Sequence, residues 1–140
     1  MEGLYERALA FAVKAHEGQV DKAGAPYVEH PVTVASYVDG EIAKAVALLH
    51  DVLEDTDATE EELREKFGDE VTDAVVVLTH AEGESYLDYV RRVKRHPLAR
   101  TVKLADLRHN MNLDRFSVVT ERDVRRVVDK YVPALRLLVA

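Results

Sequence analysis

Four ionisable residues arrive within six positions at the end of the stretch Val46-Ala47-Leu48-Leu49-His50-Asp51-Val52-Leu53-Glu54-Asp55. On a continuous helix His50 and Glu54 share one face, and Asp51 and Asp55 the adjoining one, because residues four apart stack along a helix. Ile42, Ala45, Leu49 and Leu53 form an apolar stripe that Val46, Leu48 and Val52 widen. A helix apolar nearly all round is a buried helix. Charges carried into such surroundings cost several kcal/mol unless they are paired or bound to a metal, and a divalent cation would offset that cost. The competing reading is a surface helix end with a solvated acidic cluster, which an isolated His-Asp pair would favour.

The chain has no cysteine, so disulfides and thiolate sites are excluded and any metal must be held by imidazole and carboxylate. His50-Asp51 supplies two ligands from one helix. Asp106, at the margin of another helix's apolar face, offers a third, and His30, just before Pro31, a fourth. Two imidazoles and two carboxylates suit Mn²⁺, Fe²⁺, Zn²⁺ or Co²⁺ better than Ca²⁺ or Mg²⁺, which prefer oxygen shells. Spacing alone leaves two alternatives open: Asp106 as the partner of a neighbouring Lys or Arg, and His30 as a loop residue bonding to backbone.

The elements that must position these residues are all helices. Residues 2–16 carry Leu4, Ala8, Phe11, Ala12 and Ala15 at helical spacing. Gly18, Gly24 and Pro26 make 17–29 a loop, and Pro31 opens a short helix through about Tyr37. Asp39-Gly40 turns the chain into the long apolar helix, expected over 41–53. Thr59 with Glu62, and Ser85 with Asp88, are capping patterns that open two further helices, the first ending at Gly68. Between them Val71, Ala74, Val75 and Leu78 keep helical spacing. Pro97 starts a helix bearing Leu98, Val102, Ala105 and His109, with Asp106 and Asn110 four apart at its edge. Thr120 and Asp123 open the last helix, which Pro133 should kink or interrupt. Residues 1–140 are expected to form one all-α domain.

Composition limits the function. Apolar residues at 47% and charged residues at 32% describe an ordinary globular chain rather than a disordered one. A net charge of −7 argues against general binding to a phosphate backbone. The charge is uneven, acidic over 54–73 and basic over 91–130, and a basic half could attract a phosphorylated small molecule, although most such residues are solvated helix faces. With no signal-type segment and no apolar run near ~18 residues, the expected location is cytoplasmic. His16 and His109 are expected to make structural hydrogen bonds, and His80 and His96 to sit beside helix C-termini.

The motifs also carry a resemblance. Ala15-His16-Glu17-Gly18-Gln19, Gly24-Ala25-Pro26-Tyr27 with His30-Pro31, Leu48 to Thr56, and Val102-Lys103-Leu104-Ala105-Asp106 with Asn110 stand in this order over roughly residues 8–116. Together they resemble the H…HD…D signature of HD-domain phosphohydrolases. More narrowly, they resemble the (p)ppGpp-hydrolase domain of the RelA/SpoT-homology family and its small stand-alone relatives. The resemblance implies an HD-domain helical bundle with His30, His50, Asp51 and Asp106 as ligands of a divalent metal, usually Mn²⁺. It implies Glu54 and Asp55 as the catalytic carboxylates and Lys22, Lys103 and Asn110 as substrate-binding residues.

The implied reaction removes pyrophosphate from the 3′ position of (p)ppGpp. The alternatives are hydrolysis of a different phosphorylated metabolite and a non-catalytic nucleotide-binding module. The expected partners are a nucleotide substrate and a second copy of the chain as a homodimer, with neither nucleic acid nor membrane. One position departs from the family. Its alarmone hydrolases carry a basic pair after Gly-Gln-X, the first of which contacts guanine, and here that residue is Asp21, followed by Lys22. An anion there should repel a polyphosphorylated nucleotide by ~1 kcal/mol at a few ångströms in solvent.

Overall fold

Helix α3 (Glu41–Leu49) needs neighbours on every side, because Ala43, Ala45, Val46, Ala47, Leu48 and Leu49 are all buried. In the computed structural model, which describes residues 2–140, α1 (Leu4–Ala15) and α2 (Glu29–Ser36) pack on it. Helices α6 (Asp69–Val77) and α8 (Pro97–Asn110) cover other sides. Its start is set by Gly40, whose φ of +92° lies in the region that favours glycine. The Lys44 ammonium then ties the new helix back to α2 through the Ala35 carbonyl at 2.9 Å.

The long helix expected over 41–53 is in fact broken at the residues of interest. Helix α3 stops at Leu49, His50 and Asp51 form a turn, and α4 (Val52–Asp55) resumes. The cause is local: the His50 Nδ1–H donates to the Ala47 carbonyl at 2.6 Å, drawing the ring back over the end of the helix. Helix α2 also begins earlier than expected, at Glu29. The Glu29 and His30 amides bond to the Pro26 and Tyr27 carbonyls (both 3.0 Å), starting the coil before Pro31. Pro31 then occupies the first turn, where a missing N–H costs nothing.

Capping residues set the other boundaries. Thr59 accepts from the Glu62 amide to open α5 (Glu60–Phe67), and Gly68 at φ +85° closes it. Ser85 accepts from Asp88 to open α7 (Tyr86–Lys94). His96 lies just past the C-terminus of α7, as expected, and its side chain also caps the N-terminus of α8 by accepting from the Ala99 amide at 3.1 Å. A neutral imidazole is an acceptor as well as a donor, and this role needs only its bare nitrogen.

Thr120 and Asp123 form a complete capping box at α9 (Glu121–Arg126). Before α10 (Val132–Val139) the helix widens into a π turn over Val127–Tyr131. Pro133 has no N–H to return and would press its ring on the carbonyl four residues back; the wide turn relieves both. No strand is present among the described residues, and no helix is long and apolar enough to cross a membrane.

Candidate metal centre and cavity

Helices α2, α3 and α8 meet where His30, His50 and Asp106 converge. All three are buried, and each offers a ligand atom within 4.8 Å of the others. His30 Nε2 lies 2.8 Å from Asp106 Oδ1. His50 Nε2 lies 3.1 Å from Asp51 Oδ2 and 3.3 Å from Asp106 Oδ1. Asp51 joins this trio to Glu54 and Asp55, with which its carboxylate forms a second group inside the same 4.8 Å limit. All four residues expected as metal ligands therefore stand together, although they come from three separated segments.

The fit to a cation rests on His50. Its Nδ1–H is committed to the Ala47 carbonyl, so Nε2 carries the lone pair. That nitrogen is buried, makes no hydrogen bond among the described residues, and faces two carboxylate oxygens. Lone pairs opposed in this way need a positive charge between them, which a proton or a metal ion supplies. Burial alone would push the imidazole down, yet Asp51 and Asp106 hold it well above its ordinary value. The donor set, two imidazole nitrogens with carboxylate oxygens, suits a divalent cation.

Surrounding groups fix these side chains. Burial would raise Asp106, but the Lys103 ammonium and the two imidazoles bring it well below the usual carboxylate range. Lys103, itself buried, donates to Asp106 Oδ2 at 2.8 Å, and the Asn110 amide donates to Oδ1 at 3.2 Å. The Tyr27 hydroxyl donates to Asp51 Oδ2 at 2.6 Å. His30 Nδ1 and His109 Nδ1 are 2.6 Å apart, so one ring donates to the other. Burial, then His30 and Arg115, push His109 down to about 4, leaving it neutral near pH 7.

Glu54 and Asp55 stand at the edge of the centre. Glu54 Oε1 accepts from the His80 backbone N–H at 2.6 Å. Burial, then the charges of Asp51 and Glu54, raise Asp55 above its ordinary value. Both carboxylates line a cavity of about 410 Å³ with the metal-centre residues. Small-molecule sites are commonly of this order, about 300–1,000 Å³.

Lys22, Lys103 and Asn110, expected at a substrate site, also line the cavity, and Lys103 and Asn110 direct donors at Asp106. Arg126, Lys130 and Tyr131 form a wall that sequence reasoning missed. Lys22, Arg126 and Lys130 have no carboxylate within ion-pair distance among the described residues. The cavity is therefore acidic on one side and carries unpaired cations on another. Asp21, expected to repel a polyphosphorylated nucleotide, lines the cavity. It closes its own loop through the Ala23 and Ala25 amides and faces Arg115 at 3.9 Å.

A family model described as HD domain matches residues 8–128. The chain belongs to the HD-domain family. A Haemophilus influenzae protein named guanosine-3′,5′-bis(diphosphate) 3′-pyrophosphohydrolase is 42% identical over 113 residues, which is 69% of this chain and 16% of that protein. A Mycobacterium leprae protein named probable GTP pyrophosphokinase is 37% identical over 127 residues, 81% of this chain and 16% of that one. The chain thus spans well under a quarter of the length of these curated relatives. A solved structure described by the words "a metazoan ortholog of SpoT hydrolyzes ppGpp and plays a role in starvation responses" superposes with a TM-score of 0.77. It is 27% identical, and the match covers 99% of this chain and 92% of that one. An all-helical HD fold with a candidate His/Asp site for a divalent metal is common ground between sequence, structure and relatives.

Proposed function

We propose that residues 1–140 work as one HD-type unit, a metal-dependent phosphohydrolase that releases pyrophosphate from the 3′ position of guanosine 3′,5′-bis(diphosphate). The observation that carries this reading is the bare, buried His50 Nε2 facing Asp51 and Asp106 beside Glu54 and Asp55 in one cavity. The relatives' names supply the substrate, and a cytoplasmic location follows from it. His30, His50, Asp51 and Asp106 would hold the cation; Mn²⁺, the ion that the family resemblance implies, is one of those the mixed nitrogen and oxygen donor set suits. When bound, the cation lowers the pKa of a water and neutralises charge developing on phosphate oxygens.

The chain's own residues do the remainder. Glu54, oriented by the His80 amide, takes a proton from the attacking water. Water adds to the phosphorus next to the ribose, the bond from that phosphorus to the 3′ oxygen breaks, and Asp55 supplies the proton to the departing oxygen. Its raised affinity for a proton suits that task. Lys22, Lys103 and Asn110, with Arg126 and Lys130, place positive charge and donors around the polyphosphate.

The test is pyrophosphate release from ppGpp by Mn²⁺-loaded protein, with a chelator control and Asp51→Ala alongside. Release that disappears with chelator and in Asp51→Ala is expected. No release from folded, metal-replete protein would falsify the assignment of substrate.

A further inference from the structure

Gln19 ties the end of α1 to the end of α4 through both its backbone and its side chain. Its backbone N–H donates to the His16 carbonyl at 3.0 Å, and its carbonyl accepts from the Tyr27 amide at 2.8 Å. Its side-chain Nε2 donates to the Asp55 carbonyl at 2.9 Å, while Oε1 lies 2.9 Å from His16 Nδ1. An amide oxygen only accepts, so His16 Nδ1 carries the hydrogen and donates it. His16 is held firmly for this role. It is 2% exposed, its own amide bonds to the Ala12 carbonyl at 3.0 Å, and its ring lies against that of Tyr27, with centroids 4.9 Å apart. Gly18, at φ +82°, makes the turn that brings Gln19 back to it.

The Asp55 carbonyl needs such a donor. Helix α4 is a single turn, and the last carbonyls of a helix have no amide of their own helix to accept from. The Asp55 side chain has only a weak tie of its own. Its Oδ2 lies 3.4 Å from the Tyr27 hydroxyl, whose shorter bond, 2.6 Å, goes to Asp51. The placement of the Asp55 carboxyl therefore depends on the backbone that carries it.

We propose that His16 and Gln19 are positioning residues for Asp55. The imidazole fixes the Gln19 amide, and that amide fixes the backbone from which the Asp55 carboxyl reaches the departing oxygen. The proposal rests on the hydrolase reading above, in which Asp55 is the proton donor. Neither His16 nor Gln19 lines the cavity, so they act through Asp55 and not by touching substrate.

Gln19→Glu isolates the link. It keeps an acceptor for His16 Nδ1 and sets an oxygen that cannot donate against the Asp55 carbonyl. With ppGpp as substrate, kcat is expected to fall about tenfold to a hundredfold, the scale of a ~1 Å misplacement near the chemistry. KM and Mn²⁺ affinity should stay as in wild type. Gln19→Met, which loses both side-chain bonds without adding charge, should show the same split, and so should His16→Leu. His16→Asn offers an N–H where Nδ1 stood and should restore most of the rate. Hydrogen exchange reads the tie without substrate. The Asp55 and Thr56 amides, which bond to the Asp51 and Val52 carbonyls, should exchange faster in Gln19→Met and His16→Leu, with α8 unchanged.

A wild-type kcat in folded Gln19→Glu and Gln19→Met overturns the proposal. So does wild-type exchange at Asp55 and Thr56, or a loss confined to KM or to Mn²⁺ affinity. His16→Asn no better than His16→Leu removes the imidazole from the arrangement. No pyrophosphate release even from wild type, with exchange quickened at Asp55 and Thr56 in the variants, sinks the hydrolase reading and supports the tie.

Discussion

Lys103 Nζ lies 2.8 Å from Asp106 Oδ2, one turn away on α8, with both side chains buried. This ion pair makes the lysine a support for the metal centre. Burial would lower its pKa, but Asp106 and then Tyr89 and Tyr86 hold it well above its ordinary value, so it stays charged. Removing one member of a buried pair leaves the other uncompensated. Lys103→Met should therefore cost about 3 kcal/mol in metal-free protein, at the lower end of the range for broken buried pairs. Denaturant unfolding measures it, and added Mn²⁺ should narrow the loss by placing positive charge beside the same carboxylate. A variant as stable as wild type without metal would remove Lys103 from this role.

His109 bears on the same centre from behind. For His30 Nε2 to be a metal ligand it must be bare, so Nδ1 of that ring carries the hydrogen and donates to His109 at 2.6 Å. His109→Ala frees the His30 ring to turn. Mn²⁺ affinity by calorimetry should fall about 10- to 100-fold, the usual effect of losing such an outer partner. The melting temperature of the metal-free variant should change little, since His109 is only partly buried. Unaltered affinity would show that His30 is oriented by Asp106 alone.

Glu54 and Asp55 separate binding from chemistry. Glu54 accepts from the His80 amide and, among the described residues, forms no ion pair with the converging imidazoles. Glu54→Gln keeps an oxygen for that amide but loses the basic carboxylate. We expect unchanged Mn²⁺ affinity and a kcat lower by roughly 10²–10⁴, the typical worth of a positioned acid or base. A variant turning over at the wild-type rate would exclude Glu54 from proton transfer.

Much of this was legible in the chain because periodicity and capping are local. Val71, Ala74, Val75 and Leu78 lie at helical spacing and are all buried, and Thr120 with Asp123 builds the expected box. His30, His50, Asp51 and Asp106 converge as anticipated from their motifs. The break after Leu49 was not legible, because it depends on a side chain bonding back to the Ala47 carbonyl against the apolar run's helical preference. Arg126 and Lys130, four residues apart in the basic stretch 91–130, carry no local sign that they face a cavity and not solvent. The Asp21–Arg115 meeting joins two loops far apart in sequence, which no spacing rule connects.

The loop that holds Glu54 in place should respond to acid through Glu84. Its carboxylate takes Arg92 Nε at 2.9 Å and Nη2 at 2.8 Å, while the same guanidinium donates to the Val77 and Thr79 carbonyls. Arg92 thereby fastens the segment that presents the His80 amide to Glu54. Hydrogen bonds from Arg92 draw Glu84 from 4.5 down to about 2. A carboxylate whose pKa is depressed on folding contributes stability above its unfolded value and loses it as pH falls through its folded value. Wild type should therefore melt above Glu84→Gln by a steady margin from pH 7 to about pH 5. That margin should close between pH 4.5 and about 2 as both forms become uncharged at this position. Melting curves at a series of pH values test this. No margin at pH 7, or one that survives undiminished at pH 2, would mean that the pair does not hold the loop.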